Sequence, residues 1–390
     1  MLSSSSTSRS SPILLLIALL LVATTLRSPI TAVGPILETL KSTLGLSATM
    51  ASLLTALPLI AFGVIAPFAG RFSKAVGMER CLIGALFVVV VGVLLRSYGS
   101  IATLYSGTLL VGIGIAFGNV LMPSLVKRDF PTKIPSITGK CGLAIGLSAA
   151  LASSLAVPLM LIFNWKVALA STAIFPFFAF IIWFFLIQGT KENPRENMQH
   201  AQKTVWTSAL AWQVTIYMTI NSILFYSMIT WLPAILTHSG ASILKAGSLH
   251  GLLQFASLIP GLLLGAIVGR MQDQRFIAGF LSLVQCVGLW GLCLKPTLAP
   301  IWAFLFGLGT GGNLILSLMM ISLRTSNPQQ AASLSGMAQC INFLLGALGP
   351  ILAGKVHEMT GNWLPILYTG VFLTLIMAIF GVLAGRRKMI

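Results

Sequence analysis

The sequence predicts an all-α integral membrane protein of twelve transmembrane helices, arranged as two six-helix halves related by a parallel repeat. Three observations carry this prediction. The chain is 56% hydrophobic and only 8% charged, with a mean hydropathy of +0.96, too little polar surface to cover a soluble fold. Apolar runs of roughly twenty residues, each enough to cross about 30 Å of hydrocarbon as a helix, recur along its whole length. Segments of the first half also return in the second at a nearly constant offset.

Taken in order, the first span covers 12–40. The Ser-rich stretch before it imitates a signal peptide. The apolar run is too long for one and continues past Arg27, so it is read as a retained helix. Spans follow at 47–70, 78–97, 100–125, 136–163 and 165–188. The longest polar interruption, Gly189 to Thr207, holds Lys191, Glu192, Asn193, Pro194, Arg195 and Glu196. It reads as a cytoplasmic linker (189–207) between an N-terminal bundle (1–188) and a C-terminal bundle (208–390). The second set of spans covers 208–237, 244–269, 274–294, 297–323, 330–357 and 361–385.

The repeat rests on four matches in chain order. Ser52-Leu53-Leu54-Thr55 through Gly70-Arg71 aligns without gaps on Gly251-Leu252-Leu253-Gln254 through Gly269-Arg270, 199 positions later. Pro35 matches Pro233, Pro131 and Gly139 match Pro328 and Gly336, and Asn164-Trp165 matches Asn362-Trp363. A constant offset in one membrane orientation is the parallel repeat of major facilitator transporters, whose substrate site lies between the halves near the midplane.

The net charge of +17 is topological. With the N-terminus inside, seventeen Lys and Arg residues fall in cytoplasmic segments and six outside: Lys41, Arg96, Lys166, Lys245, Lys295 and Lys355. The positive-inside rule therefore places both termini in the cytoplasm, in the inner (plasma) membrane of a cell, with no nucleic-acid footprint. The five cysteines lie in or at the ends of apolar segments without metal-ligand spacing and read as packing residues. A monomer in the lipid bilayer is expected.

The function classes excluded are as informative. The acidic residues, Glu38, Glu79, Asp129, Glu192, Glu196, Asp273 and Glu358, all sit at helix ends or in loops, so no carboxylate pair or metal cluster lies in the membrane. The four histidines are scattered. Gly139-Lys140 lacks the upstream glycines of a phosphate loop, which excludes an ATP-driven pump. No enzyme, cofactor or metal is expected, and transport must draw on a gradient or on exchange.

Arg27, in the middle of the first span, is the candidate substrate contact. An intramembrane charge costs about 2.5–3.5 kcal/mol on insertion scales, and a guanidinium offers charge-assisted, bidentate bonds to an anion or electron-rich solute. The alternative is a structural arginine bonded to backbone carbonyls or snorkelling. Its repeat partner is Phe225, so the site should be asymmetric.

Uncharged polar residues supply the rest of a pocket. Asn119 in helix four and Asn313 in helix ten each follow a glycine-rich run, and each is either a ligand contact or interhelical glue. Helix seven offers Asn221, Tyr226 and Trp231, the aromatics being pocket walls or packing. Gln254 in helix eight and Gln339 and Asn342 in helix eleven are polar groups in apolar surroundings. Gly346, Gly349-Pro350 and Gly354, like Pro158, suit either a gating bend or close packing.

Several of these stretches together resemble one family. Leu26-Arg27-Ser28-Pro29-Ile30-Thr31-Ala32-Val33-Gly34-Pro35, Gly118-Asn119-Val120-Leu121-Met122-Pro123 with Lys127-Arg128-Asp129-Phe130-Pro131, Trp231-Leu232-Pro233, and Leu348-Gly349-Pro350 with Gly361-Asn362-Trp363 are similar to the cyanate porter family of the major facilitator superfamily. The resemblance spans nearly the whole chain. It implies secondary transport of small, planar, electron-rich molecules such as cyanate or nitroimidazoles, with Arg27, Asn119, Tyr226, Gln254 and Gln339 at pocket positions. Phe343 departs from the family's more usual tyrosine. The superfamily's loop motif is also degenerate: Gly70 and Gly269 stand where an acidic residue normally precedes Arg71 and Arg270. These two arginines and Pro350 are the gating candidates. A lipophilic-drug exporter with a structural Arg27, and a membrane sensor without net transport, are the alternatives.

Overall fold

The computed structural model describes residues 12–130, 134–186, 202–268, 270–326 and 328–390. Among them are twelve helices long and apolar enough to cross a membrane. We number the spans α1 (Pro12–Leu44), α2 (Ala48–Val76), α3 (Met78–Arg96), α4 (Ile101–Asp129) and α5 (Ile134–Ile162). Then come α6 (Trp165–Leu186), α7 (Ala209–His238), α8 (Ile243–Ala256 with Ile259–Val268) and α9 (Arg275–Leu294). The last are α10 (Pro296–Leu323), α11 (Pro328–Gly346 with Leu348–Thr360) and α12 (Leu364–Ala384). Most of the expected linker lies outside the described residues; its end forms a short helix, Gln202–Thr207.

Local chemistry fixes the span starts. Ser47, Ser208 and Ser242 accept from backbone N–H groups of the first turns of α2, α7 and α8, and Ser100 with Thr103 forms a capping box on α4. The expected repeat pair behaves alike: Asn164 Oδ1 accepts from Val167 N at 3.0 Å, and Asn362 Oδ1 from Leu364 N at 3.0 Å. Large apolar side chains left exposed, such as Phe185, Phe276 and Phe372, are those that hydrocarbon would solvate. α7 is the most enclosed span, with 89% of its window buried.

Three spans are interrupted by a turn just before a proline. α1 breaks at Leu26-Arg27 before Pro29, α8 at Ser257-Leu258 before Pro260, and α11 at Ala347 before Pro350. Proline lacks an N–H and crowds the preceding turn, yet sits without cost in the first turn of a new helix, so these prolines end one segment and begin another. α5, by contrast, continues through Pro158 to Ile162. Such breaks are tolerated at depth only where side chains re-satisfy the freed backbone. At the α1 break, Ser28 Oγ and Ser148 Oγ both donate to the Thr24 carbonyl, at 2.9 and 3.1 Å.

Twelve spans put both chain ends on one face. On the opposite, far face the first and last six spans are tied together. Glu358 of α11 accepts from Thr49 N and Thr49 Oγ1 of α2, both at 2.7 Å. Thr55 and Thr230 share a hydroxyl bond at 2.7 Å, and Ser153 of α5 bonds His250 of α8. Nearer the chain-end face, Cys340 Sγ bonds the Gly63 carbonyl at 3.8 Å. These bonds hold the two sets together on the far face.

Candidate functional site

Arg27 sits at the α1 break itself, with φ −128° and ψ −39°, capping the short helix Ser28–Thr31. Its carbonyl serves that helix, accepting from Ile30 N and Thr31 N, while its half-buried side chain points across the bundle. The guanidinium carbon lies 5.3 Å from the Phe225 ring centre and 5.7 Å from that of Tyr226. These two rings meet edge to face at 5.4 Å. Among the described residues no carboxylate answers the charge. Of the described acids, Glu38 pairs with Lys41, Glu79 and Asp129 with Arg128, and Asp273 with Arg275; Glu358 caps α2.

A second arginine shows what a structural role looks like. Arg96 was expected among the outside loop charges, yet it is 1% exposed inside the first six spans. A position at the end of an apolar run does not reveal whether the side chain turns inward. Its NH1 donates to the Pro29 carbonyl at 2.7 Å and NH2 to Thr172 Oγ1 at 3.0 Å, bracing the segment after the α1 break. Arg96 is engaged by the protein. Arg27 has only aromatic faces, which contribute about 0.5–2 kcal/mol against a larger insertion cost, and its donors have no acceptor among the described residues.

The other candidates divide by whether their polar atoms are engaged. Asn119 follows Gly118, where a Cβ would strike the Leu26 side chain; it is half-buried, level with the α1 break, and its amide is unbonded. Gln254 is buried, with Nε2 lacking a partner, and so is Asn342, whose Oδ1 has none. Asn342 lies one turn from Gly346, which packs beside Ser222 and Tyr226. Gln339 is half-buried and donates only to Ser335 of its own helix, at 2.8 Å. Phe343 lies edge to face with Phe62 at 5.3 Å, an aromatic contact between α11 and α2.

Asn313, Asn221 and Trp231 are held elsewhere. Asn313 accepts from Tyr217 Oη at 2.5 Å and donates to Gln285 Oε1 at 2.7 Å, a network among α7, α9 and α10 in which Gln285 Nε2 alone lacks a partner. Asn221 donates to the Thr310 carbonyl and accepts from Thr310 Oγ1. Trp231 Nε1 donates to the Pro350 carbonyl at 2.9 Å, and its ring packs on Trp363. These three tie α7 to α10 and α11 and leave no free polar atom for a solute. Pro350 thus acts at the α11 break both as helix starter and as acceptor.

On the chain-end face, Arg270 is exposed, and the side chain of Arg71 lies outside the described residues. The ordered charges there are others. Arg128 bonds Asp129 and Glu79 at 2.7 and 2.8 Å; burial alone would lower its pKa, but the two carboxylates hold it above the ordinary arginine value. Arg324 donates to the Ala384 and Gly385 carbonyls and to Gln274, and burial lowers its pKa. Each lock stays within one set of six spans.

Comparisons agree with this architecture. The Major Facilitator Superfamily model matches residues 15–350. The chain is 44% identical to the 2-nitroimidazole transporter of Escherichia coli (strain K12), covering 99% of this chain and 98% of that one. It is 31% identical to the cyanate transport protein CynX of the same organism, over 90% and 91%. The crystal structure of a D-xylose-proton symporter superposes with a TM-score of 0.78 at 14% identity, over 96% of each chain, a likeness of fold. The protein is a transporter, not an enzyme, and it belongs to the major facilitator superfamily and, within it, to the cyanate porter family.

Proposed function

We propose that this chain is a secondary carrier that moves a small planar anion or electron-rich solute by alternating access, with Arg27 as the principal contact. The observation that carries this reading is the unanswered guanidinium at the α1 break. It faces two aromatic rings, with no carboxylate bonded to it among the described residues. A planar solute lying edge-on to the guanidinium accepts two parallel in-plane hydrogen bonds, while the rings flank the guanidinium itself. Asn119, Gln254, Gln339 and Asn342, with unengaged or weakly engaged amides, complete the contact set, and Tyr226 with Phe225 forms its wall. The names of the relatives, a 2-nitroimidazole transporter and a cyanate transport protein, agree with both substrate types.

In this reading residues 1–188 and 208–390 rock about the site as two bodies joined by the linker. The excess of Lys and Arg on the chain-end face puts that face in the cytoplasm of a cell bounded by its inner membrane. In this reading the far-face ties keep the described state closed outward. The carrier acts as a monomer.

The test is uptake or exchange in proteoliposomes across cyanate, nitrate, bicarbonate, 2-nitroimidazole and a lipophilic cation, for wild type, Arg27→Lys and Arg27→Ala. The expected result is transport of cyanate or 2-nitroimidazole that Arg27→Ala lowers about 10- to 100-fold in uptake at low substrate, the loss of one charge-assisted contact. Anion transport by Arg27→Ala at the wild-type rate would overturn the proposal. Transport of the lipophilic cation alone would make this an exporter with a structural arginine.

A further inference from the structure

His250 lies one turn along α8 from Gln254, toward the far face, and is fully buried. Its Nε2 is 2.8 Å from the carbonyl oxygen of Ile229 in α7. A carbonyl only accepts, so Nε2 carries the hydrogen. That carbonyl is free because the residue four positions on is Pro233, which has no N–H to offer it. The imidazole therefore supplies a hydrogen bond that the helix lacks. Nδ1 is left as an acceptor, and the Ser153 hydroxyl of α5 donates to it. Gly34 of α1 closes the remaining side, where a Cβ would collide with the Ile229 oxygen. One neutral ring thus bonds α5 of the first six spans and α7 of the last six.

The ionisable residues on the elements packed here are Arg27, Glu38 and Lys41 of α1, Lys140 and Cys141 of α5, Tyr217, Tyr226 and His238 of α7, and Lys245 of α8. Glu38 and Lys41 pair with each other at 2.9 Å, and none of the others bonds the imidazole. An imidazolium in this place would have no counter-charge, and a buried unpaired charge is costly. Parting of the far face breaks the Ser153 bond, which joins the halves, and spares the Ile229 bond, which lies within one of them.

We propose that His250 is the proton-binding site of this carrier, neutral while it clasps the far face of the empty carrier shut and protonated when that face opens. The proton comes from water on the far side and adds to the Nδ1 lone pair once Ser153 has withdrawn. It leaves from the same atom before the empty clasp re-forms. Resting on the anion reading above, an anion held by Arg27 and Gln254, one turn away, offsets the imidazolium charge and lets the protonated ring return to the interior. Proton and anion then cross together. When the anion leaves, the ring loses its counter-charge and releases the proton to the open side.

The test reads the far-face gap without any substrate. Spin labels at Phe163→Cys and Ile243→Cys, the exposed far ends of α5 and α8, are placed in protein whose five native cysteines are serine, in nanodiscs. Pulsed distance measurements are made from about pH 8 to about pH 5, across the ordinary histidine range. The wild type should pass from a short to a longer distance as pH falls. His250→Gln, whose amide keeps both hydrogen bonds without titrating, should stay short throughout. Ser153→Ala keeps the ring and loses the clasp, so it should hold about fivefold more of the long form at neutral pH, the worth of one hydrogen bond. A wild-type distance that ignores pH, or a His250→Gln protein that responds like wild type, would overturn the proposal.

Adding cyanate, nitrate or 2-nitroimidazole at acid pH separates the two readings. Cyanate or nitrate should shorten the wild-type distance, and not that of Arg27→Ala. If neither anion has an effect while the acid response persists, the anion reading of the site fails and the assignment of His250 stands.

Discussion

The guanidinium of Arg27 lies over the ring of Phe225, 5.3 Å from its centre, and the two residues are repeat partners, 198 positions apart in sequence. Equivalent places in the two halves therefore face each other across the bundle, one cationic and one aromatic. Duplication supplied the positions, and divergence made them complementary.

Phe225→Leu keeps the apolar volume and removes the ring face. A cation–π contact is worth about 0.5–2 kcal/mol, so the apparent affinity for cyanate or 2-nitroimidazole should fall roughly 2- to 30-fold. Saturation of uptake, compared with unfolding temperature in detergent, checks this. An unchanged KM would remove Phe225 from the site.

Arg96→Met removes the two bonds that brace the Pro29 carbonyl and Thr172. An orphaned buried acceptor costs about 1–3 kcal/mol, so unfolding in detergent should come several degrees earlier. Because Arg96 is engaged by the protein, the protein that does fold should keep its substrate affinity. A large affinity loss at unchanged thermal stability would contradict the bracing role.

Asn313→Leu deprives Tyr217 Oη and Gln285 Oε1 of their shared partner. The expected cost is again about 1–3 kcal/mol per orphaned group, read as reduced thermal stability. Tyr217→Phe with Asn313→Leu should cost less than the two single changes added together, since the groups act as one network. Strict additivity would dissolve the network.

Glu358→Ala removes both bonds to Thr49 at the far face. Loss of two charge-assisted bonds weakens that closure by about 1.5–3 kcal/mol, moving the two-state balance roughly 10- to 150-fold toward far-face opening. Thiol-reagent labelling of Thr49→Cys in intact vesicles would rest on an altered cap, so the adjacent Met50→Cys is the better reporter. It should react faster in the Glu358→Ala background.

How much of this was written in the sequence follows from what hydropathy sees. Span limits emerged within a few residues because twenty apolar residues and a bilayer match in length, and Arg27 stood out because nothing near it is charged. Direction around a helix axis was invisible. Arg96, at the end of its span, read as a loop charge, and His250 read as one of four scattered histidines, although Pro233 had already marked Ile229 as a carbonyl in need of a donor. Asn313 and Asn119 follow similar glycine runs, yet one amide is locked in a network and the other is unbonded. Which neighbour meets each amide depends on packing that one-dimensional spacing does not encode.

The glycines that let backbones touch have a mechanical meaning. Gly92, Gly107 and Gly114 seat α3 on α4, and Gly288, Gly309 and Gly312 seat α9 on α10, so closely that a Cβ at any of them would collide with the opposite helix. Close-packed contacts of this kind resist shear. Under the proposed rocking, each half behaves as a stiff lever with an arm of about 15 Å, half the hydrocarbon thickness. A tilt of roughly 10° then moves its tip by only about 2.6 Å. The length of the stroke itself becomes a size filter, favouring thin, flat solutes before any side chain has recognised them.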